Sequence, residues 1–441
     1  MTASMPHSRT FTSAARTAVA SLVAVTALGG CSSGGGDGRS SASRSASSSA
    51  ASSASSAKAS SPHAADPVAR ARELRRMYDY DAATAALKGQ TSKEADAERR
   101  AINDAKAKAK PFADNTQVSH VFYHSLVVDP ALAFHAGQGK AQGYKDYMVT
   151  KREFVAQLNS MYAKGYVLVH PQRLAKRGAD GQMHPVPIEL PAGKKPLVLS
   201  VDDVSYYEYM AGDGFATSLV VDGSKGVRTT YPEKGGKVRK GADDVVPIVD
   251  DFVREHPDFS YRGDKGTIAL TGYNGVLGYR SSYAAYGHSA KTDAERAKAK
   301  TVADAMKATG WNFASHSYGH INITKASLAT IKADAARWDA DVKPIVGPTK
   351  EIIFAFGADL SDTTPYSMRN PKYAFLHGVE GFDYFANVDG SRPSWVQFSE
   401  GSMRQGRINI DGIALDAARD GKSSVLSEFF DPKATRDPAR D

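Results

Sequence analysis

Three features of the sequence predict an α/β fold with a parallel sheet covered by helices. From Val118 onward, short apolar segments alternate with amphipathic segments of helical periodicity. Residues 197–201 are almost continuously apolar, as in strands that are buried on both faces. Asp202 and His316 directly follow such segments. A barrel and a doubly wound sheet both fit this pattern, and in both folds functional side chains gather at the carboxyl ends of the strands.

The individual elements can be predicted in chain order. The clearest helix covers residues 150–164, because Thr150 and Glu153 form a capping box and Gly165 ends the helix. Residues 212–241 are rich in Gly, Lys, Asp and Thr without periodicity, so we predict a long loop near the functional edge of the sheet. The predicted strands are 121–124, 166–169, 197–201, 267–271, 312–314 and 352–356. The other predicted helices are one that includes 248–252, one at 292–308, and one that Thr324 caps and Pro344 ends.

The first 30 residues predict an export signal. Arg9 and Arg16 form a basic segment before a short apolar stretch, residues 17–28, which is too brief to span a bilayer. The stretch leads into Leu-Gly-Gly-Cys, which resembles a bacterial lipobox ending at Cys31. Because Cys31 is the only cysteine, lipidation there is favoured over an ordinary signal peptide with an incidental cysteine. We therefore predict an exported lipoprotein, anchored by this lipid to the extracellular face of a bacterial cell membrane.

Composition divides the rest of the chain into three segments. Residues 31–66 are almost wholly Ser, Ala and Gly, which cannot bury enough apolar surface to offset the entropy of ordering, so they predict a disordered tether. Residues 67–112 have helical periodicity with a break at Gly89, which predicts a small helical hairpin. Residues 118–430 then form the α/β domain.

Composition also excludes several classes of function. With Cys31 blocked, the mature protein has no disulfide and no thiolate, which excludes zinc-finger and cysteine-protease chemistry. The net charge of +8 comes from mixed charges along the chain and indicates solubility and mild attraction to an anionic envelope. No nucleic-acid-binding motif occurs, so we expect no nucleic-acid partner. The absence of a Gly-x-Ser-x-Gly elbow and of a Walker-type loop disfavours serine esterases and NTPases. The oligomeric state stays open.

Asp202 and Asp203 are adjacent carboxylates at the end of a predicted strand. Neighbouring residues of a strand point to opposite faces, so a turn must begin here if both are to face one cleft. Two carboxylates at close range repel each other unless a cation gives them separate roles. One carboxylate could bind a divalent metal while the other stays free as a base beside a metal-activated water. Three tyrosines follow closely, and packing and sugar stacking are both open for them: Tyr206, Tyr207 and Tyr209.

His316 and His320 are four residues apart, which predicts that both lie on one side of a helical turn and can reach one metal. With one carboxylate they supply three protein ligands and leave a position for water, as in catalytic zinc sites. Twelve histidines in the chain also allow the spacing to arise by chance, with one imidazole capping a helix. The combination with the strand-ending carboxylates favours a metal-dependent hydrolase.

Together these residues resemble a polysaccharide deacetylase of the NodB-homology type, carbohydrate esterase family 4. The family's strand ending in Asp-Asp resembles residues 197–203, and its His-Ser/Thr-x-x-His motif matches residues 316–320. Tyr123 and His124 resemble the Tyr-His of the family's opening strand, and residues 154–174 resemble the stretch after it. The resemblance covers residues 118–415 and leaves out the hairpin and the tether.

The resemblance implies a distorted (β/α) barrel that removes acetyl groups from N-acetylglucosamine-type units of a cell-envelope or extracellular polysaccharide. By this resemblance Asp202 is the general base, acting on a metal-bound water. Asp203, His316 and His320 bind Zn²⁺ or another divalent metal such as Co²⁺ or Ni²⁺. The glycan and the acetylated position are not indicated.

The sequence departs from the family pattern at three places, one of which is the insertion at residues 212–241, close after the Asp-Asp motif. The family's third motif has an Arg that holds the base, whereas residues 354–359 have none, and Arg407 is a candidate replacement. The family's late acid histidine is also missing, because Asp416 stands in its place. His124 and His377 are both candidates for the general acid, and the sequence does not decide between them.

Two other functions fit parts of the pattern. A non-catalytic lipoprotein could keep the barrel and the metal and bind a glycan or a partner, which the missing arginine and histidine favour. A glycosidase could use the carboxylates, but His316 and His320 would then have no role, and glycosidase carboxylates must stand about 5 Å or more apart.

Overall fold

Seven parallel strands form a closed barrel in the computed structural model of the protein, which describes residues 66–441. Each strand pairs with the next one along the chain, and Ile408 of the last strand pairs with Val121 of the first. The strands are β1 (Ser119–Tyr123), β2 (Lys195–Asp202), β3 (Thr267–Leu270), β4 (Asn312–Ser315), β5 (Glu351–Ile353), β6 (Tyr384–Val388) and β7 (Ser402–Asn409). The predicted (β/α) barrel is confirmed, and the doubly wound alternative is excluded.

The distortion of the barrel lies beside β2. The strand Tyr166–Leu168 pairs with the first residues of β2, and β3 pairs with its last residues on the same side. The wall is therefore split at the amino-terminal end and closed at the carboxyl end, where Ala269 lies opposite Asp202. The strand Val396–Ser399 adds to β7 in antiparallel direction. Two small antiparallel pairs lie outside the barrel: Lys110–Pro111 with Glu189–Leu190, and Ala175–Arg177 with Met183–Pro185.

Helices cover the outside of the barrel because the outward residues of the strands are apolar. Leu197 and Leu199 of β2, for example, share a core with Phe154 and Leu158 of the helix that the capping box predicts. The main helices are α1 (Pro67–Arg76), α2 (Tyr80–Ala86), α3 (Lys93–Lys108), α4 (Lys151–Ala163), α5 (Val245–Glu255), α6 (Ala290–Ala308), α7 (Leu328–Asp341), α8 (Pro371–Gly378) and α9 (Gly412–Arg419). Short helices are Pro130–Ala133, Lys140–Tyr147, Tyr283–Tyr286, Lys343–Val346 and Pro432–Thr435. Among the described residues no helix is both long and apolar enough to cross a membrane.

Three predictions for single elements are wrong. Residues 212–241 contain a three-stranded antiparallel sheet instead of a long loop, formed by Ser218–Val221, Val227–Pro232 and Val238–Gly241. Ser327, not Thr324, caps α7, because the Thr324 hydroxyl instead donates to the Asp359 carbonyl. The strand predicted at 352–356 ends at Ile353, and a 3₁₀ turn at Ala355–Gly357 follows it.

Three helices, instead of the predicted hairpin of two, cover the amino-terminal end of the barrel. Asp79 accepts a hydrogen bond from Ala82 N and caps α2 as a separate helix, which divides a segment predicted to be continuous. The three helices share an apolar cluster with Val118 and Tyr384, at the amino-terminal ends of β1 and β6. The bundle therefore lies opposite the carboxyl ends of the strands.

The described residues include only some of the predicted segment boundaries. The signal peptide 1–30, the lipidation site Cys31 and the tether, apart from Asp66, lie outside the described residues. At the other end, residues 431–441 pack on the barrel domain beyond its predicted boundary at residue 430. Arg440 forms two hydrogen bonds with the buried Glu153 carboxylate, at 2.6 and 2.8 Å.

A row of buried polar side chains runs through the barrel interior. Ser200 Oγ accepts from Arg407 Nη1 at 3.2 Å and lies 2.9 Å from His120 Nε2. His120 Nδ1 lies 3.1 Å from Gln405 Oε1, and Gln405 Nε2 donates to Val118 O at 3.0 Å. Burial lowers the pKa of His120, so its imidazole is neutral and links the Ser200 hydroxyl to the Gln405 amide. Small residues on the other strands leave room for this row: Ala269, Ala314 and Ala386.

Glu351, the first residue of β5, is a buried carboxyl group outside this row. Its Oε2 accepts from Gln172 Nε2 at 3.3 Å and from Thr267 Oγ1 at 3.2 Å, whereas Oε1 has no partner among the described residues. Burial raises the pKa of Glu351 from 4.5 to about 7, against the effect of these two hydrogen bonds. The pKa of Glu351 is higher in the folded state than in the unfolded state. The stability that its protonated carboxyl group contributes is therefore complete below pH 4.5 and is lost as the pH rises through about 7.

We predict that Glu351→Gln stabilises the protein relative to the wild type increasingly from about pH 4.5 to about pH 7. The difference should approach about 3 kcal/mol and then stay constant, because between these pH values the wild type loses this proton only in its unfolded state, and the variant has no such proton to lose. Denaturant unfolding across this pH range measures it. Glu94→Gln, at an exposed position of α3, is the matched control. A difference from wild type that does not change with pH would contradict the prediction.

Candidate metal centre

The carboxyl ends of β2 and β4 carry the predicted metal ligands. Asp202 is the last residue of β2 and Asp203 follows it, while His316 directly follows β4. These strands flank β3 in the barrel, so their ends are close together. Asp203, His316 and His320 each offer a ligand atom, and these atoms all lie within 4.8 Å of one another. The structure therefore brings the three residues together at the mouth of the barrel.

The chain turns sharply at Asp203, as the paired carboxylates predict. Its φ of +58° is in the left-handed region, and its N–H donates to Ala269 O at 3.1 Å. Asp203 Oδ1 accepts from the Tyr207 hydroxyl at 2.6 Å, and Oδ2 lies 3.7 Å from His320 Nε2. Asp202 Oδ2 lies 3.8 Å from His316 Nε2. Each carboxylate thus faces one of the two imidazoles.

The carboxyl end of β5 fixes the orientation of the His316 ring. His316 Nδ1 lies 2.8 Å from Ile353 O. Because a carbonyl oxygen can only accept, Nδ1 carries the hydrogen and Nε2 keeps its lone pair. Burial lowers the pKa of His316, although Asp202 and Asp203 oppose this effect. A neutral imidazole held in this way is the form that binds a metal.

The segment between the two histidines is an irregular loop, so the predicted helical turn is wrong. Ser317 and His320 have φ of +58° and +52°, which are left-handed values. Asp334 of α7 accepts hydrogen bonds from Tyr318 N at 2.6 Å and from Gly319 N at 2.8 Å. These bonds replace the internal hydrogen bonds of a helix, and they hold the loop so that both rings still face Asp203, with centroids 5.0 Å apart.

Arg407 of β7 holds Asp202. It is the residue suggested above as the replacement for the missing arginine of the third motif. Arg407 Nη1 donates to Asp202 Oδ1 at 2.8 Å and Nη2 donates to Oδ2 at 3.0 Å. Arg407 is 1% exposed and Asp202 is 3% exposed. Burial opposes the charge on Asp202, but the charge and the hydrogen bonds of Arg407 hold its pKa below the usual range. Asp202 is therefore an ionised carboxylate in a fixed orientation.

The two candidate acids lie at opposite ends of the barrel. His124 follows β1 at the carboxyl end, and it is one of the groups that lower the pKa of Asp202. His377 lies on α8, where its Nδ1 donates to Phe382 O at 2.7 Å beside Asp383. Asp383 precedes β6, at the amino-terminal end. Of the two candidates, only His124 is near the carboxylates.

His124 also lies near a second buried carboxyl group. Asp411, which caps α9, is 3% exposed, and burial raises its pKa to about 6, while His124 is among the groups that lower it. His124 Nδ1 is buried and has no hydrogen-bond partner among the described residues. A buried ring nitrogen without a partner is unusual in a folded protein, and this one lies at the carboxyl end of the barrel.

The three donors fit a divalent cation. One carboxylate and two imidazoles form the donor set of catalytic zinc sites, and the same set also suits Co²⁺ and Ni²⁺. His316 has its other ring nitrogen bound to a carbonyl, and Asp203 has its other oxygen bound to a hydroxyl, as metal ligands commonly do.

Exposed aromatic rings surround the centre. Phe356 lies beside His320, with ring centroids 4.4 Å apart, and has a left-handed φ of +61°. A groove of about 490 Å³ opens beside the histidine loop and is lined by Tyr273, Gly319 and Arg337, among others. The exposed fractions of the aromatic residues are 65% for Phe356, 56% for Tyr209 and 38% for Tyr273. Of the tyrosines after the carboxylates, Tyr206 is buried, Tyr207 contacts Asp203 and only Tyr209 is open to solvent.

Sequence reasoning missed two contacts of this centre. The Tyr207 bond to Asp203 spans only four residues, and the tyrosine is visible in the sequence, but only as a candidate for packing or stacking. Asp334 lies 15 residues from the loop that it holds, and no sequence pattern indicates that contact.

Comparisons with known proteins give one similar structure. No family model matches the chain, and no curated protein matches it. The deacetylase PplD of Streptococcus pyogenes, solved in complex with acetate, aligns with 69% of this chain and 94% of its own. The sequence identity is 14% and the TM-score is 0.34.

We predict that Arg407→Met destabilises the protein by about 3–5 kcal/mol, because it leaves the buried Asp202 carboxylate without its partner. The double variant Asp202→Asn/Arg407→Met should recover much of this loss, since it removes the buried charge as well. The free energy of unfolding in denaturant measures both changes. A single variant within about 1 kcal/mol of the wild type would show that the ion pair does not have this role.

Proposed function

We propose that the protein is a metal-dependent hydrolase that removes N-acetyl groups from a cell-envelope or extracellular polysaccharide with N-acetylglucosamine-type units. One observation carries the proposal: ligand atoms of Asp203, His316 and His320 lie within 4.8 Å of one another. The ionised Asp202 lies beside them and is held by Arg407. A site with three ligands at a barrel mouth leaves room for water and substrate, whereas a structural zinc site would have a fourth protein ligand.

Asp203, His316 and His320 would hold the cation, which we propose to be Zn²⁺, or Co²⁺ or Ni²⁺ in its place. When bound, such a cation supplies Lewis acidity and lowers the pKa of water. His316 contributes Nε2, because its Nδ1 is occupied by Ile353 O. Asp203 contributes Oδ2, because its Oδ1 accepts from Tyr207.

In this proposal Asp202 takes the proton of the attacking water. Its carboxylate is fixed by two hydrogen bonds from Arg407, so it stays oriented toward the site without ordering cost during the reaction. The water oxygen adds to the acetamide carbonyl carbon as this proton passes to Asp202. The carbon–nitrogen bond then breaks, and acetate and a free amine are released.

In this proposal His124 protonates the departing amine nitrogen. Its ring lies at the same end of the barrel as Asp202, and its Nδ1 has no partner among the described residues. Protonation of the nitrogen is needed because an amide anion is a very poor leaving group. The groove beside Tyr273 and the exposed Phe356 and Tyr209 rings offer surfaces on which sugar rings could stack.

A non-catalytic glycan-binding protein is less well supported. The missing arginine and histidine of the family pattern favour that alternative. Arg407 on β7 and His124 at the end of β1 are candidates for these two roles, and their positions make the alternative less favourable. We also propose, from the N-terminal sequence, that the protein is exported and held at the extracellular face of the membrane by a lipid on Cys31.

The direct test is Asp202→Asn. We expect acetate release from N-acetylglucosamine oligomers to fall by at least about 100-fold, because the proton acceptor is lost. The metal content should stay unchanged, because Asp202 is not one of the three ligands. Asp96→Asn, at an exposed position of α3 at the opposite end of the barrel, is the matched control. A fully active Asp202→Asn variant would exclude the proposed base.

A second test distinguishes the two candidate acids. His124→Ala should lower the rate of acetate release by about 100-fold or more, whereas His377→Ala should leave it nearly unchanged if the protein stays folded. Both variants should bind metal as the wild type does. Loss of activity in His377→Ala with normal folding, together with full activity in His124→Ala, would reverse the assignment.

A further inference from the structure

Tyr207 is the one side chain among the described residues that donates a hydrogen bond to Asp203. Its hydroxyl lies 2.6 Å from Asp203 Oδ1 and 2.8 Å from Thr271 Oγ1. The Ser205 hydroxyl lies 3.3 Å from the same Thr271 oxygen. Tyr207 is 6% exposed, so water does not compete freely for these contacts.

In the hydrogen bond between Tyr207 and Asp203, only the tyrosine can be the donor. An ionised carboxylate can only accept, so the Tyr207 proton points to Asp203 Oδ1. The Tyr207 oxygen is then the acceptor for the Thr271 hydroxyl. This arrangement uses Oδ1 and leaves Oδ2, which lies 3.7 Å from His320 Nε2, as the oxygen that faces the imidazoles.

The Tyr207 ring is itself fixed. It is stacked between Tyr209, with centroids 5.5 Å apart and planes 13° apart, and Tyr273, with centroids 5.3 Å apart and planes 16° apart. Parallel rings on both sides prevent the side chain from swinging away from Asp203. Fixation matters here because Asp203 lies at a left-handed turn after the end of β2, and its backbone bond to Ala269 O leaves the carboxylate free to rotate about its side-chain bonds.

We propose that Tyr207 is a positioning residue that sets the affinity of the site for its cation by orienting the carboxylate of Asp203. This inference rests on the proposed metal-dependent function. The tyrosine hydroxyl holds Asp203 in the orientation in which one oxygen faces His316 and His320, so binding does not require the carboxylate to be ordered first. Without the hydroxyl, the carboxylate rotates freely and its Oδ1 loses a buried donor.

The test compares Tyr207→Phe with Tyr209→Phe. Both changes remove one hydroxyl and keep the ring stack, but only the first removes the bond to Asp203. We expect the Kd for Zn²⁺, measured by competition with a chelator, to rise about 10–100-fold in Tyr207→Phe. It should change by less than about twofold in Tyr209→Phe, since the Asp203 contact stays. The visible absorption spectrum of the Co²⁺-loaded protein should also change only in Tyr207→Phe, because ligand geometry determines it.

Thr271→Val is the second variant, for the case that Tyr207→Phe does not fold. It keeps the tyrosine and removes the hydroxyl behind it, so we expect a smaller rise in Kd in the same direction. An unchanged Kd and Co²⁺ spectrum in either folded variant would overturn the inference, as would equal losses in Tyr207→Phe and Tyr209→Phe. Failure of the wild type to bind Zn²⁺ or Co²⁺ would overturn the proposed function and this role together. Normal wild-type binding with unaltered variants overturns only the role of Tyr207.

Discussion

The buried ion pair between Arg407 and Asp202 is the constraint on which the barrel interior depends. Removing two charges from water is costly, and pairing and hydrogen bonds must offset the cost. The two-point contact with Asp202, the bond from Arg407 Nη1 to Ser200 and the Phe122 ring centroid 3.9 Å from the guanidinium offset it here, while Arg407 Nε has no hydrogen-bond partner among the described residues. Small alanines on the neighbouring strands give the arginine its space. Because the pair joins β2 to β7 across the interior, it also fixes the position of the mouth.

The mouth is assembled from strand ends, and its loops are held by side chains from elsewhere. Alternation along β2 turns Ser200 and Asp202 inward, and the left-handed turn at Asp203 then brings the next carboxylate to the same cleft. Asp334 holds the loop of His316 and His320 from outside the barrel. The ligands are therefore oriented before any cation binds, which lowers the entropic cost of binding.

Sequence patterns predicted the parts of this structure that depend on local chemistry. The capping box of α4, the apolar strand β2, the turn at Asp203 and the convergence of strand ends follow from periodicity and stereochemistry. The sheet within residues 212–241 was missed because its strands alternate weakly and are separated by glycine turns. The helical turn at His316 was wrong because a distant carboxylate, Asp334, satisfies the backbone there. The choice between His124 and His377 needed the direction of the strands, which the histidines themselves do not reveal.

We propose that Asp203, His316 and His320 jointly hold one cation. Crystals of the protein grown with Zn²⁺, with diffraction measured on both sides of the zinc absorption edge, test this arrangement. We expect one strong anomalous peak at the barrel mouth, within bonding distance of these three side chains and not bonded to Asp202 or His124. A strong peak elsewhere, or none at this position in Zn²⁺-saturated crystals, would contradict it.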